Sequence, residues 1–94
     1  MAIKTWACDR TESIFEGGSP DVVPRALLKR ANGKLLVLNG AADLRDLRVP
    51  PANRLEKLHG DRAGQYSIRI NDQYRICFSW RSGDAYQVEI VDYH

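Results

Sequence analysis

An aspartate, a phenol and an imidazole close this chain as Asp92-Tyr93-His94, and three arginines, Arg62, Arg69 and Arg75, precede them in the same half. A histidine beside arginines suits metal-free chemistry on a phosphodiester: one group moves a proton while fixed cations hold the extra negative charge. Chain ends usually fray unless they are tied down. Here the apolar alternation of Tyr86, Val88 and Ile90 runs almost to the last residue, which predicts a strand that carries Tyr93 and His94 into a packed sheet. The alternative is an exposed terminal histidine with no role. His59 is the other histidine. Near an arginine pair it is a candidate proton-transfer group or phosphate ligand; away from one it is a surface residue.

The elements that must position these groups follow from a change of period. Tyr66, Ile68 and Ile70 alternate with Ser67 and Arg69; Tyr74, Ile76, Phe78 and Trp80 alternate with Arg75, Cys77 and Ser79; Tyr86, Val88 and Ile90 alternate with Gln87 and Glu89. With turns at Asn71-Asp72-Gln73 and Ser82-Gly83-Asp84, the pattern predicts a three-stranded antiparallel meander with one face under helices. A one-residue slip would put one strand's apolar set on the wrong face. Three-residue loops avoid that and pair Ile70 with Tyr74, Ile68 with Ile76 and Trp80 with Tyr86. The same register sets Arg69 opposite Arg75 and Val91 opposite Arg75, with Tyr93 following on that face. Facing like charges are unfavourable for stability. They make sense as an anion clamp, because planar guanidinium groups give bidentate phosphate contacts. The competing arrangement has Glu89 and Asp61 neutralising the pair as surface salt bridges. The glycine-bounded loop Gly60-Asp61-Arg62-Ala63-Gly64 carries no lysine and precedes no helix, so it is no nucleotide P-loop.

The first half reads as helical. Residues 3–7 form a short β-compatible stretch, expected as an edge strand of the later sheet. Asp9 and Glu12 have capping-box spacing ahead of a short helix that carries Ile14 and Phe15 inward and stops at Gly17-Gly18. Pro24 fits a helix first turn, and Leu27, Leu28, Ala31, Leu35 and Leu38 recur on one face. Asn32-Gly33 interrupts that stripe, and a glycine inside a helix costs about 1 kcal/mol relative to alanine, so a kink or fraying is expected there. Asn39-Gly40 ends the helix, residues 43–47 make one or two further turns, and Pro50-Pro51 is expected to enforce an extended link.

Composition narrows the function classes. A chain of 94 residues, taken as one domain over 1–94, supports one core but no elaborate cofactor site. No apolar run reaches membrane-spanning length, and Met1-Ala2-Ile3-Lys4 does not begin a signal peptide, so no membrane partner is expected. Cys8 and Cys77 stand too far apart for a metal-ligand motif, and two lone cysteines without an export signal fit a reducing cytoplasm. The net charge of +2 excludes the sweeping basic surface of nonspecific nucleic-acid binders; positive charge must act locally.

The stretch from Arg54-Leu55-Glu56-Lys57-Leu58-His59-Gly60-Asp61-Arg62 through Tyr66-Ser67-Ile68-Arg69 to Tyr74-Arg75-Ile76 closely resembles the HigB toxins, the plasmid maintenance system killer proteins of the RelE/ParE superfamily. Val49-Pro50-Pro51-Ala52-Asn53 and the closing Val88-Glu89-Ile90-Val91-Asp92-Tyr93-His94 fit as well, so the resemblance spans nearly the whole chain. It implies a compact α+β, microbial-RNase-like antiparallel sheet with the N-terminal helices packed on one face. It further implies a type II toxin that cleaves messenger RNA in the ribosomal A site without metal or cofactor. Its expected partners are the ribosome with its mRNA and a HigA-like helix-turn-helix antitoxin, with a larger toxin–antitoxin complex on operator DNA. By the family pattern Arg75 binds the scissile phosphate, and Asp92, Tyr93 and His94 form the catalytic end. Two positions depart from one form of that pattern: Glu56 stands where a catalytic histidine is found, and His59 where a basic lysine is found.

The implied reaction is attack of a ribose 2′-hydroxyl on the adjacent phosphorus. It assigns Glu56 or His59 as base, Arg75 with Arg69 as clamp, Arg62 and His59 as further phosphate contacts, His94 as acid and Tyr93 as a residue that orients the RNA. Two readings compete. ParE-type relatives share the fold and act on DNA gyrase without cleaving anything, and an inactive toxin would only bind its antitoxin.

Overall fold

The leucine stripe of the first half becomes a helix that buries Ala31, Leu35 and Leu38, while Leu28 at its start and Leu27 before it are only partly buried. The structure, a computed structural model, describes residues 1–92; Tyr93 and His94 lie outside the described residues. Helix α1 (Asp9–Phe15) buries Thr11 and Ile14, and α2 (Leu28–Gly40) buries Ala31, Leu35 and Leu38. A 3₁₀ turn, Arg25–Leu27, leads into α2 after Pro24, and a second, Leu44–Arg48, buries Leu47. That second turn holds a capping box in which Asp43 and Asp46 exchange side-chain contacts with each other's backbone N–H.

The expected capping box at α1 is not formed. Cys8 is the N-cap, no side chain caps it, and Asp9 and Glu12 sit inside the first turn, where carboxylates favour the positive end of the helix dipole. Nor does α2 break at Asn32-Gly33. The Asn32 side chain reaches back to α1, donating to the carbonyls of Ile14 (2.9 Å) and Phe15 (3.4 Å). Carbonyls at a helix end lack intrahelical partners, so this asparagine serves the end of its neighbour rather than unwinding its own helix.

Among the described residues the strands β1 (Glu56–Lys57), β2 (Gln65–Arg69), β3 (Tyr74–Arg81) and β4 (Asp84–Asp92) form an antiparallel sheet in that order. The three expected strands are thus joined by β1, a pairing too short to show any alternation. Residues 2–7 run parallel to β4 through bridges at Ile3–Ala85 and Trp6–Val88, the expected edge position. Thr11 of α1 accepts a hydrogen bond from the Ile90 N–H (3.0 Å), which ties the helix to β4. One sheet face, with Ile68, Ile70, Ile76, Phe78, Val88 and Ile90, packs against Ile14, Ala31, Leu35, Leu38 and Leu47 in a single core cluster. Burying a side chain such as Phe78, which is fully enclosed, stabilises the fold by about 1.5–3 kcal/mol.

The register is as expected near Arg75 and shifted near the turn. Ile68 pairs with Ile76, Arg69 with Arg75, and Arg75 with Val91. Trp80, however, pairs with Ala85, and Tyr86 lies opposite Ser79. The loop is the two-residue turn Ser82-Gly83, both with positive φ (51° and 83°), which matches the twist of a hairpin. A bulge restores the register: β3 advances two residues from Cys77 to Ser79 while β4 spends three between Tyr86 and Glu89. Gln87 carries the bulge's positive φ of 54°. Tyr86 is therefore moved off the core face to which simple alternation assigns it.

The expected extended link at Pro50-Pro51 is also replaced. Val49–Pro50 is a cis peptide, Pro51–Asn53 is a 3₁₀ turn, and Arg54 caps it in the left-handed region.

Candidate active site

Opposite the core, the sheet presents three successive cross-strand rows. Arg69, Arg75 and Val91 form one; Glu56, Ser67, Cys77 and Glu89 form the next; Gln65, Ser79 and Tyr86 form the third. Strand alternation alone dictates this, since residues two apart share a face. The segment between α2 and β2 folds over part of that face, so Arg75, Ser67 and Cys77 are buried although they point away from the hydrophobic core.

Arg75 is the centre of the arrangement. It is 7% exposed and its guanidinium is held on three sides. Nε donates to Ser67 Oγ at 2.8 Å, Nη2 donates to the Arg54 carbonyl at 2.6 Å, and Glu56 Oε1 stands 3.7 Å from Nη2. The left-handed conformation of Arg54 is what turns its carbonyl to the guanidinium. Asn53, fully buried, fixes the preceding turn by donating to the carbonyls of Leu47 (3.2 Å) and Val49 (3.3 Å) and accepting from Lys34 Nζ.

The structure brings Glu56 and Arg75 together. Glu56 is half exposed, so its carboxylate faces both the cation and solvent. Arg69 is the register neighbour of Arg75, but its guanidinium pairs with Asp72 in the β2–β3 turn. Arg62, in the turn Gly60–Arg62, reaches Glu89 Oε1 and Gln65 Oε1, each at 2.9 Å. Glu89 pairs with Arg62, while Asp72 pairs with Arg69 and Glu56 stands beside Arg75. His59 is exposed at the start of that turn. Asp92 pairs in register with Tyr74, on the opposite face from Arg75, and accepts from Gln73 Nε2 at 3.1 Å.

Sequence reasoning missed Ser67 and Arg54 as holders of Arg75. Ser67 carried a signal, being a small polar residue two positions before Arg69 on the same face. The Arg54 contact carried none, because it is made by a backbone carbonyl. Burial pushes the Cys77 thiol above its ordinary value; Glu89 adds to the rise, while Arg62 and Arg75 oppose it. Among the described residues no group of histidines, cysteines and carboxylates is placed to hold a metal ion.

Helices on one face of a short antiparallel sheet, with a polar face opposite, make this the compact RelE-like α+β fold. Solved structures share it: the YoeB-YefM complex from Staphylococcus aureus superposes with a TM-score of 0.60 at 17% identity, covering 100% of this chain and 97% of that one. The YoeB dimer from the same organism gives 0.55 at 20% identity with the same coverage. Residues 5–94 match the family model of the HigB-like toxins, described as the RelE-like toxin of type II toxin-antitoxin system HigB. The chain is 33% identical over 92 residues to Endoribonuclease HigB of Proteus vulgaris, covering 98% of this chain and 99% of that protein. It is 42% identical over 64 residues to Toxin HigB-1 of Vibrio cholerae, covering 68% and 67%. The chain belongs to the HigB-like toxin family.

Proposed function

We propose that this toxin acts as one domain, an endoribonuclease that cleaves messenger RNA in the ribosomal A site and is silenced in the cytoplasm by a HigA-like helix-turn-helix antitoxin. The observation that carries the reading is the fixed guanidinium of Arg75 with the Glu56 carboxylate 3.7 Å away. A cation held by Ser67 and a backbone carbonyl needs no reorganisation to meet the charge of a phosphorane, and that is where preorganised donors act most strongly.

In the proposed step a base takes the proton of a ribose 2′-hydroxyl, whose oxygen attacks the adjacent phosphorus. The P–O5′ bond breaks, and the leaving oxygen takes a proton. The products are a 2′,3′-cyclic phosphate and a 5′-hydroxyl. Glu56 acts as the base, with His59 the other candidate; Arg75 stabilises the phosphorane. Arg69 joins the clamp when a phosphate replaces Asp72, and Arg62 contributes a further phosphate contact. His94 protonates the leaving oxygen and Tyr93 orients the RNA; Asp92, on the other face of the sheet from Arg75, only precedes them in the chain. These proton movers and cations are all side chains, so the step needs no metal.

A net charge of +2 neutralises few phosphates, which favours a substrate presented by the ribosome over free RNA. Incubating the purified protein with programmed ribosomes and mapping the cut sites tests the proposal. Cuts confined to the A-site codon, with naked message spared, are the expected result. Inhibition of gyrase supercoiling without any cleavage would replace this reading with the ParE-like one.

A further inference from the structure

The register bulge has built a second feature on the Arg75 face. With Tyr86 placed opposite Ser79, its ring lies on the same face as Arg81, whose Cζ stands 4.4 Å from the ring centroid. This guanidinium–phenol stack forms one wall of a cleft of about 720 Å³. Arg62 and Asp61 stand in the lining with Gln65 and Ser79. Cavities of roughly 300–1,000 Å³ accommodate small ligands. Bulges recur beside functional sites because one extra residue re-aims a side chain, and here the re-aimed side chain is an aromatic ring removed from the core.

Arg62 links the cleft to the candidate active site. Arg62 binds Gln65 in its wall and Glu89 in the adjoining row, where Ser67 also lies. Ser79 lies four residues along β3 from Arg75, about 13 Å at the rise of a strand. That offset is too long for the reacting phosphate and suits a nucleotide beyond it. Unpaired bases stack on aromatic rings and on arginine planes, and a neighbouring arginine meets the backbone charge. An acidic peptide would use the two arginines but would have no need of a flat stack.

We propose that the cleft between Arg62 and the Arg81–Tyr86 stack is a subsite for an unpaired RNA base flanking the scissile phosphate. The inference rests on the endoribonuclease reading and adds to it the place where a flanking base is held. The test uses the full chain, programmed ribosomes and messages that carry a single abasic nucleotide at successive positions around the cut. Wild-type cleavage should weaken when the abasic nucleotide occupies one flanking position, with a roughly ten-fold rise in the concentration of ribosome–message complex at half-maximal rate and little change in kcat. Tyr86→Ala and Arg81→Glu should show that rise with intact message and no further loss with the abasic one. Arg81 is exposed, so Arg81→Glu decides the matter if Tyr86→Ala does not fold. A wild-type protein that cleaves, with variants indistinguishable from it, overturns the subsite and leaves the activity standing. A folded wild-type protein that cleaves nothing overturns both. Variants that cleave normally but lose capture by a HigA-like antitoxin would show the cleft to be a protein contact, which also overturns the proposal.

Discussion

Arg75 donates from Nη2 to the backbone carbonyl of Arg54 at 2.6 Å, and Arg54 offers that carbonyl from a left-handed conformation (φ 44°, ψ 58°). Outside glycine such a conformation costs about 1–2 kcal/mol. It persists where the surroundings fix it, and here the buried Asn53 side chain pins the turn that Arg54 ends. Backbone strain at one arginine thus fixes the charged group of another.

The first prediction concerns Arg75 itself. Removing a preorganised charge contact to a transition state costs about 100–1,000-fold in kcat, and Arg75→Ala should lower cleavage by that order. Because the Ser67 hydroxyl and the Arg54 carbonyl lose a partner, unfolding in urea should also show roughly 1–3 kcal/mol less stability. Arg75→Lys keeps the charge without the planar fork and should recover only part of the rate. Wild-type cleavage by a folded Arg75→Ala protein would remove Arg75 from the mechanism.

Ser67 is a positioning residue, since it touches Arg75 rather than substrate. Ser67→Ala leaves Nε without its acceptor, and the guanidinium should lose orientation more than affinity. The expected outcome is a fall in kcat with KM little changed, and recovery in Ser67→Thr, which restores the hydroxyl. Equal changes in both variants would mark the position as packing only.

A third test separates the proton movers. General acid–base groups contribute about 100–10,000-fold. With its carboxylate beside Arg75, Glu56→Gln should cost most of that range, while His59→Ala, at an exposed position, should cost much less. A larger loss in His59→Ala would reverse the assignment of the base. His94→Ala should reduce cleavage within the same range if this imidazole protonates the leaving oxygen, and wild-type cleavage would remove it from that role.

Stability offers a check independent of activity. Gly33 lies inside α2 on its exposed side, and a Cβ placed there meets nothing within 4 Å. Gly33→Ala should therefore stabilise the protein by roughly 0.5–1 kcal/mol. For a chain of this size a gain of 1 kcal/mol raises Tm by about 4–8 °C. A lower Tm would mean that α2 is not continuous through this position.

The buried thiol gives a pH signature. Cys77 is fully enclosed while Cys8 is partly exposed, so a thiol reagent should label Cys8 in the native protein and Cys77 only on unfolding. Burial raises the folded Cys77 thiol above its ordinary value of 9.0, and the unfolded chain releases that proton first. The stability this supplies is whole below that value and is lost as pH rises through the folded one. Cys77→Ala should remove that alkaline slope in denaturant melts; an unchanged slope would assign it to other groups.

Much of the fold is legible in the sequence alone. The period of two placed β2, β3 and the end of β4, and it set Arg69 against Arg75 and Val91 against Arg75, because every alternative register exposes apolar side chains. The leucine spacing located α2 and its buried face for the same reason, and the family resemblance supplied the chemistry to which these elements belong. Tertiary structure decided the rest. Nothing local distinguishes a three-residue loop from a two-residue turn followed by a bulge at Gln87, yet that choice moved Tyr86 from the core face to the Arg75 face. Asn32-Gly33 reads as a helix break until α1 is docked and its last carbonyls need a donor. Glu56 and Arg75 are distant in sequence and meet only because β1 pairs with β2. The carbonyl that holds Arg75 belongs to a backbone that any side chain could have carried, so no residue pattern could announce it. Alternation is a one-dimensional property and survives in the sequence; contacts between separate elements, and the backbone turns that allow them, are settled only when the core closes.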